Sequence, residues 1–299
     1  MSGHLHNVGE DHPPTVFFLS DYGLADEFVG VVHAVVHRLV PSVVVVDLTH
    51  DLPPFDVRAG TAALERSVPH LGPGCVLAVV DPGVGGSRRG VAVQAADGRW
   101  FVAPDNGLVL PAVEACGGVR AAVALTKPDG VPATFDGRDV FAPAAAALAA
   151  GEGPEGLGAP VPADELVRLA PLPPPAVETG PDGRRLLRTE VAWVDRFGNV
   201  QLGVPGTEGP PLAAGGAPPT PEATVRIFEL DGGATPDGAL EPGPVAQFRV
   251  RRVPTFGALA TGEVGLLSDA NGRLAVVVRE GSAAMVTGAV EGAAVELEW

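Results

Sequence analysis

Residues 76–89 read Val-Leu-Ala-Val-Val-Asp-Pro-Gly-Val-Gly-Gly-Ser-Arg-Arg, an apolar run that ends in a carboxylate and a glycine-rich turn. The run predicts a buried strand, and the proline and glycines after it predict a tight turn. Asp81 is thereby placed at the end of a strand, where α/β enzymes position catalytic groups. Arg88 can fold back across the turn and hold this carboxylate ionised. Two alternatives remain open. Asp81 then only caps the turn, and Arg88 is then a solvated surface arginine whose place beside Asp81 can equally be taken by Arg89.

Composition sets the broad class of the protein. The chain has 299 residues, 46% of them hydrophobic and 19% charged, which is enough apolar material for two domain cores. No apolar run reaches the roughly 20 residues of a membrane span, and the polar N-terminus is unlike a signal peptide, so we expect a cytoplasmic protein with no membrane partner. The net charge of -16 argues against nucleic acid and suits a cationic ligand. Cys75 and Cys116 show no metal or redox spacing and are expected to be buried thiols.

Strand and helix patterns alternate in the first half of the chain. Strands are predicted at 15–19, 43–48, 76–80, 91–94, 100–103 and 121–125, and helices at 26–39, 59–68 and 142–150. The unbroken β-branched run at 43–48 predicts a strand buried on both faces. Such alternation predicts βαβ units, and therefore an α/β domain with a mostly parallel sheet and flanking helices.

The second half of the chain differs in composition and in strand pattern. Residues 151–175 are dense in Gly and Pro, which is typical of a linker, and short alternating strands at 187–194, 224–230, 246–250 and 274–278 predict a smaller all-β domain. Residues 203–222 are expected to form a mobile loop. The predicted organisation is a disordered tail at 1–14, an α/β domain with its linker at 15–175, and the all-β domain at 176–299. The tail carries His4, His6 and His12, for which disorder is favoured over a metal tract.

Several aspartates fall where predicted strands stop. They are Asp21, Asp47, Asp81 and Asp105. In an open parallel sheet such ends line one crevice, so a divalent-metal phosphoesterase is one possible function. The chain has no histidine or paired carboxylate at short metal-ligand spacing, which makes this alternative the weaker one.

Six segments together resemble a known family. They are Ser20-Asp21-Tyr22-Gly23, Asp81-Pro82-Gly83-Val84-Gly85 with Arg88, Ala103-Pro104-Asp105-Asn106-Gly107-Leu108, the stretch Thr134-Phe135-Asp136-Gly137-Arg138-Asp139, Asp195-Arg196-Phe197-Gly198-Asn199, and Gly281-Ser282-Ala283-Ala284. In this order they resemble the S-adenosylmethionine (SAM) hydrolases that form adenosine, also called SAM hydroxide adenosyltransferases, which are relatives of the fluorinase and chlorinase enzymes. The resemblance implies an N-terminal α/β domain, a C-terminal β-barrel, and a homotrimer whose active sites lie between neighbouring subunits.

The implied reaction is attack by water on the ribose C5′ of SAM, which releases adenosine and L-methionine. SAM is the substrate, and no cofactor or metal is implied. The leaving group is a neutral thioether, so the enzyme has to orient a water molecule opposite the C–S bond and exclude bulk solvent. By resemblance, Asp81 and Arg88 hold that water, with Asp81 as its proton acceptor.

Residue 136 departs from the family pattern. Hydrolases of this family carry histidine there, and this chain carries Asp136. Two carboxylates beside one arginine are expected to compete for it, so Asp136 either substitutes as the water acceptor or lowers the activity. An additional carboxylate beside C5′ also disfavours a halogenase, as do Gly137 in place of the fluorinase serine and Asp81 in place of its tyrosine. A simple Asp-Gly turn is the structural alternative for Asp136.

The substrate contacts implied by the resemblance span both domains. Asp21 is expected to accept hydrogen bonds from the ribose hydroxyls, and Phe55 and Phe135 to shield the reacting carbon. In the second domain Phe197 and Phe256 are expected to stack on adenine. The remaining implied contacts are Asn199 to the adenine edge and Asp195 to the methionine ammonium. A halogenase relative and a non-catalytic SAM or adenosine binder remain the alternatives.

Overall fold

The computed structural model describes residues 13–170, 174–212, 222–228 and 244–299. The chain divides into two compact units, Met1–Ala170 and Pro171–Trp299. The three histidines of the predicted tail, and residues 213–221 of the predicted mobile loop, lie outside the described residues.

The first unit is built on a seven-stranded sheet with the order β2-β1-β3-β5-β4-β6-β7. Its strands are β1 (Thr15–Ser20), β2 (Val44–Thr49), β3 (Cys75–Val79), β4 (Gly90–Ala95), β5 (Trp100–Pro104), β6 (Val119–Leu125) and β7 (Gly158–Pro160). Its helices are α1 (Phe28–Leu39), α2 (Val57–Ser67), α3 (Leu110–Ala115) and α4 (Ala142–Ala149). Strands β2, β1, β3 and β5 pair in parallel, and β4, between β5 and β6, is antiparallel to both. Strands β1, β2, β3, β5 and β6 therefore share one direction, which confirms the predicted mostly parallel α/β architecture.

Helices cover both faces of this sheet. Helix α1 buries Val29, Val32 and Val36, whose spacing places them on one side of the helix, and packs with α4 against one face. Helices α2 and α3 pack on the other face. Asp56 accepts a hydrogen bond from the backbone N–H of Ala59, which caps α2 at its N-terminus.

Two parts of this unit differ from the sequence expectation. Strand β2 forms an edge of the sheet, with Val44 and Val46 exposed, so its β-branched run is not buried on both faces. The Gly- and Pro-rich residues 158–160 form β7, which pairs with β6, so this part of the predicted linker belongs to the sheet. Short strands of this kind carry too few residues to show a periodicity in the sequence.

The second unit is a closed barrel. Its elements are β8 (Ala176–Thr179), β9 (Arg185–Val194), β10 (Val200–Pro205), β11 (Ala223–Ile227), β12 (Ala246–Arg252), β13 (Val264–Ser268), β14 (Arg273–Val278), α5 (Ala283–Thr287) and β15 (Ala294–Glu298). The order β10-β14-β13-β12-β11-β15-β9 closes through the pairing of β9 with β10, and β8 adds to β9. The alternating strands turn their apolar residues into one core, among them Leu187, Val225 and Val276. This seven-stranded barrel confirms the prediction for the second domain.

Helices long and apolar enough to cross a bilayer do not occur among the residues that the structure describes.

Candidate active site

The first unit has a cleft at the point where the strand order reverses. Strand β1 lies between β2 and β3, so the crossover connections leave a crevice at the carboxyl ends of β1 and β3. Asp21 directly follows β1, and Asp81 follows β3 after one residue. Both line a cleft of about 440 Å³. Its other lining residues are Tyr22, Asp26, Phe28, Pro54, Phe55, Val84, Thr134, Phe135, Asp136 and Gly137.

Asp81 is clamped by Arg88 through a two-point ion pair. Arg88 Nε donates to Oδ1 of Asp81 at 2.8 Å, and Nη2 donates to Oδ2. Gly83 lies under the returning arginine, because a Cβ at this position would come within 3.0 Å of Arg88 Cγ. Arg89 turns the other way and donates to Asp105 Oδ2 at 2.6 Å. Arg88, the arginine that the sequence spacing favoured, is thus the one that contacts Asp81.

Asp136 joins this pair and brings a second cation with it. Arg88 Nη2 donates to Oδ2 of Asp136 at 2.8 Å, and Lys127 Nζ donates to Oδ1. Burial alone would lower the pKa of Arg88, but the hydrogen bonds and charges of Asp81 and Asp136 outweigh it and raise that pKa above its ordinary value. Arg88 therefore contacts both carboxylates through one nitrogen, and Lys127 supplies a second positive charge beside Asp136.

An aromatic cluster forms one wall of the cleft. The rings of Tyr22, Phe28 and Phe135 lie 5.2 to 5.8 Å apart between centres. Burial, and then the negative charges of the neighbouring aspartates, raise the pKa of Tyr22 above its ordinary value, so its hydroxyl stays protonated. Gly137 makes room for that hydroxyl, because a Cβ there would lie 2.1 Å from the tyrosine oxygen.

Asp21 fixes the opposite rim. Its Oδ2 accepts a hydrogen bond of 2.8 Å from the backbone N–H of Phe55. Phe55 has a φ of 68°, an uncommon conformation for a bulky residue, and its side chain is 69% exposed. A strained residue beside a cleft is a marker of a functional position. The structure therefore brings Asp21, Phe55, Asp81, Phe135 and Asp136 to one cleft.

The other two strand-end aspartates do not reach the cleft. Asp47 contacts His33 and His50, and Asp105 accepts hydrogen bonds from Arg89 and from the backbone of Val167. The four aspartates do not form one acidic cluster, which removes the geometric basis of the metal-phosphoesterase alternative.

The second unit has its own cleft of about 440 Å³. Asp195, Asn199 and Phe256 line it, whereas Phe197 does not and is 78% exposed. The carboxylate of Asp195 accepts hydrogen bonds from the backbone N–H groups of Phe197 and Asn199 and from the Asn199 side-chain amide, at 2.8 to 2.9 Å. Asp195 thus orders the turn that presents Asn199.

Ala270 lines the same cleft beside Asp269. One carboxylate oxygen of Asp269 is buried, and no described residue forms a hydrogen bond to it. Asp269 is a polar residue of the cleft that sequence reasoning did not identify.

Sequence reasoning also did not identify Tyr22, which lines the first cleft, or Lys127, which contacts Asp136. Tyr22 stands inside a recognised segment, directly after Asp21, so its position was a usable signal. Lys127 stands in a connecting stretch outside the recognised segments, nine residues before Asp136, and its ion pair is visible only in three dimensions.

Comparison with known proteins follows the same division into two units. Residues 16–158 match the SAM hydroxide adenosyltransferase N-terminal domain, and residues 189–296 match the C-terminal domain of that family. The chain is similar to (R)-S-adenosyl-L-methionine hydrolase from Salinispora tropica, with 44% identity over 93% of this chain and 95% of the relative. A Thermus thermophilus protein of the same name is 41% identical over 94% of this chain and 98% of its own length.

The chain is also similar to a more distant relative and to a solved structure. A fluorinase from an Actinoplanes species is 29% identical over 65% of this chain and 73% of its own length. The crystal structure of an uncharacterized conserved protein from Thermotoga maritima superimposes with a TM-score of 0.76 and 29% identity, covering 94% of this chain and 99% of that one. With both domain matches and these full-length similarities, the chain belongs to the SAM hydroxide adenosyltransferase family.

Proposed function

We propose that this protein hydrolyses S-adenosyl-L-methionine to adenosine and L-methionine by attack of water on the ribose C5′. The observation that carries the proposal is the Asp81–Arg88 clamp, which is shared with Asp136 and lies at the cleft of the first unit. Such a clamp holds a carboxylate ionised and fixed in direction, as a group that aims a water molecule must be.

The charge of the cleft supports a cationic substrate. Its charged lining residues are the four aspartates Asp21, Asp26, Asp81 and Asp136, whereas Arg88 and Lys127 stand behind two of them. A sulfonium cation gains favourable electrostatic energy there, and a halide ion is repelled. This difference, together with the greater distance of the fluorinase relatives, favours the hydrolase over the halogenase.

The chemistry places modest demands on acid and base groups. The thioether leaves as a neutral molecule, so neither a proton nor a cofactor is needed to assist it. The attacking water loses its proton as or after the C–O bond forms, and Asp81 is the acceptor. Asp136 fixes the guanidinium from the other side, and both carboxylates face the cleft, where either can accept a hydrogen bond from the water.

The remaining substrate contacts follow the positions of the residues. Asp21 accepts hydrogen bonds from the ribose hydroxyls, and Phe55 and Phe135 exclude water from C5′. In the second unit Phe256 and Asn199 bind adenine, and Asp195 binds the methionine ammonium. Phe197 is exposed on the turn that Asp195 orders, and it completes the adenine platform.

The protein is proposed to act as a homotrimer in which the cleft of one subunit's first unit meets the second unit of its neighbour. In support, groups suited to the ribose and the water lie in one unit, whereas those suited to adenine and the amino acid lie in the other. The proposed compartment is the cytoplasm, which is supported by two buried free thiols, Cys75 and Cys116.

The test is turnover of SAM in water labelled with oxygen-18. Mass spectrometry is expected to find one labelled oxygen in adenosine, at the 5′ hydroxyl. Arg88→Gln is expected to lower kcat at least about 100-fold, since it frees the carboxylate that aims the water. Arg89→Gln, its matched control, is expected to keep kcat within about threefold, because Arg89 contacts Asp105 instead.

The outcomes separate the alternatives. Adenosine without label, or SAM consumption that requires a halide, excludes the proposed hydrolysis. Ligand-induced thermal stabilisation without turnover identifies a binding protein. Because the relatives are named for the R epimer, both sulfonium epimers of SAM are to be assayed, and faster turnover of the R form is expected.

A further inference from the structure

A second polar cluster occupies the first unit outside the cleft-lining residues. It consists of His33 on α1, Asp47 on β2 and His50, which directly follows β2. His33 Nε2 lies 2.8 Å from Asp47 Oδ1, and His50 Nε2 lies 3.0 Å from the same oxygen. The three residues offer one ligand atom each, and these atoms all lie within 4.8 Å of one another.

His50 is the informative member of this cluster. Its ring is buried, and its Nδ1 is paired with the hydroxyl of Ser20 at 2.8 Å. Its Nε2 is also buried. Among the described residues it forms no hydrogen bond, although Asp47 Oδ1 lies 3.0 Å away and offers it an ionic contact. A buried ring nitrogen whose hydrogen bond is not made is costly. Metal-binding histidines show this arrangement, in which the second nitrogen is held by a hydrogen bond and the first directs its lone pair at the ion.

We propose that His33, Asp47 and His50 bind a divalent transition-metal ion of the zinc class. Two imidazoles and one carboxylate form a donor set that Zn²⁺ prefers, with a fourth position for water or another ligand. Bonds of about 2.0–2.2 Å place neighbouring ligand atoms of a tetrahedral site about 3.3 Å apart. The present separations from Asp47 Oδ1 need to widen by only a few tenths of an ångström.

His37 is a candidate for the fourth position. It lies one helical turn after His33 on α1, and the two ring centres are 6.5 Å apart. Residues four apart share one side of a helix, and histidine pairs at this spacing chelate metal ions. The sequence expectation that the chain has no histidine at short metal-ligand spacing is therefore wrong, because His33 and His37 have this spacing. His37 is exposed, so its side chain can rotate toward the ion without unpacking the core.

The ion would join elements that carry the cleft. The backbone carbonyl oxygen of His50 accepts a hydrogen bond of 2.7 Å from the N–H of Gly23, and the His50 ring pairs with the hydroxyl of Ser20. Ser20 and Gly23 flank Asp21 and Tyr22 in the chain. Asp21 and Tyr22 line the cleft, whereas the three proposed ligands do not line it. The proposed role is therefore structural: the ion links α1 to the end of β2 and stabilises the turn between Ser20 and Gly23.

The test is titration of the full chain with Co²⁺, whose visible absorption reports coordination geometry. The starting variant replaces His4, His6 and His12 with Gln, so that the N-terminal histidines cannot compete. We expect one Co²⁺ per chain with the intense bands of a four- or five-coordinate ion, and displacement by one equivalent of Zn²⁺. At a hundredfold excess over Kd, Zn²⁺ is expected to raise Tm by about 5 °C or more.

Single substitutions assign the site. His33→Gln is expected to weaken Co²⁺ binding by about 100-fold or more while the Tm of the metal-free protein stays within about 2 °C, because His33 lies on a partly exposed helix position. Asp47→Asn serves as the second variant if His33→Gln does not fold. His70→Gln is the matched control, since His70 is an exposed histidine of the same unit, and it is expected to bind as the starting variant does. Binding that is unchanged in His33→Gln and Asp47→Asn, or that is weaker than about 1 mM, overturns the proposal.

Discussion

Lys127 donates a hydrogen bond to Oδ1 of Asp136, a carboxylate that is only 5% exposed. The lysine gives this buried carboxylate a counter-ion, at a position where the resemblance implies histidine. Arg88 contacts the carboxylates of both Asp81 and Asp136, so the two acids and the two cations form one charge-balanced network beside the cleft. An acidic residue at position 136 is thus accommodated by a neighbour that lies outside the recognised segments.

Lys127→Met tests the function of this counter-ion. Its removal leaves Asp136 to compete with Asp81 for Arg88, so we expect kcat to fall about tenfold or more, with KM changed less than about threefold. An unchanged kcat would show that Lys127 has no part in the reaction.

Asp136→His asks whether the lysine and the carboxylate depend on each other. Alone, the substitution places an imidazole between two cations, so kcat is expected to fall. In the double variant with Lys127→Met, the fold-loss of kcat is expected to be smaller than the product of the two single fold-losses. Strict additivity of the two changes in a double-mutant cycle would contradict the proposed coupling.

The ionisation of Tyr22 can be measured directly, because Tyr22 is the chain's single tyrosine. Burial and nearby carboxylates raise its pKa above the ordinary value of 10.0. Absorbance at 295 nm is therefore expected to stay flat in the folded protein through about pH 11, and to rise near pH 10 in denaturant. A rise near pH 10 in the folded protein would contradict the buried position of this hydroxyl.

The same shift predicts a loss of stability in base. Above pH 10 the unfolded chain releases the tyrosine proton while the folded protein retains it, so the free energy of unfolding falls by up to about 1.4 kcal/mol per pH unit until the folded protein also titrates. Tyr22→Phe is expected to remove this contribution to the slope. Denaturant unfolding of both proteins from pH 9 to pH 11 measures the difference.

Gly137 and Tyr22 are expected to be coupled by contact. Gly137→Ala places a methyl group against the tyrosine oxygen, so we expect a loss of roughly 1–3 kcal/mol in stability and a lower kcat. Gly30→Ala on α1 is the control, since a Cβ there meets nothing within 4 Å, and it is expected to be neutral or stabilising. In a Tyr22→Phe background the penalty of Gly137→Ala is expected to shrink, because the clashing atom is absent. An equal penalty in both backgrounds would assign the defect to the backbone instead.

Much of the α/β unit could be predicted because its strands and helices carry strong periodic signals. The run before Asp81 gave β3, and the apolar spacing after Asp26 gave α1. Short elements such as α3 and β7 carry too few residues for a periodic signal, and their formation depends on tertiary packing. The exposed position of β2 was not predictable either, since an apolar run does not show whether a strand lies at the edge of a sheet.

For the candidate site, sequence order predicted the carboxylates but not all their partners. Asp21 and Asp81 follow neighbouring strands, so their meeting in one cleft follows from the topology of a parallel sheet. Asp47 and Asp105 also follow strands, yet they contact histidines and an arginine elsewhere. The contacts with His33 and Arg89 join residues 14 and 16 positions apart, so local spacing does not encode them. His50 stands only three residues after Asp47, and there the direction of the side chains decides the contact.

Asp21→Asn separates the contact of this carboxylate with the Phe55 N–H from its proposed contact with the substrate ribose. The amide oxygen can still accept the Phe55 N–H, so Tm is expected to change by less than about 2 °C, whereas the loss of charge is expected to raise KM for SAM about tenfold or more. Phe55→Gly is the converse change: it relieves the positive φ, so Tm is not expected to fall by more than about 2 °C, and it removes the wall of the cleft, so kcat/KM drops. Equal KM values for Asp21→Asn and the native protein would exclude Asp21 from substrate binding.

Subunit complementation tests whether one active site needs two chains. One variant carries Asp81→Asn, which disables the first unit. A second variant carries Asn199→Ala together with Phe256→Ala, which disables the second unit. Each variant alone is expected to be nearly inactive. If the site joins the first unit of one subunit to the second unit of its neighbour, a mixture unfolded and refolded at equal amounts is expected to regain about one quarter of the native activity, because about one quarter of sites combine two intact halves. Light scattering is expected to give the mass of a trimer. Sites built within single subunits would regain no activity, since every chain then carries one disabled half, and that result would exclude the inter-subunit arrangement even if the trimer forms.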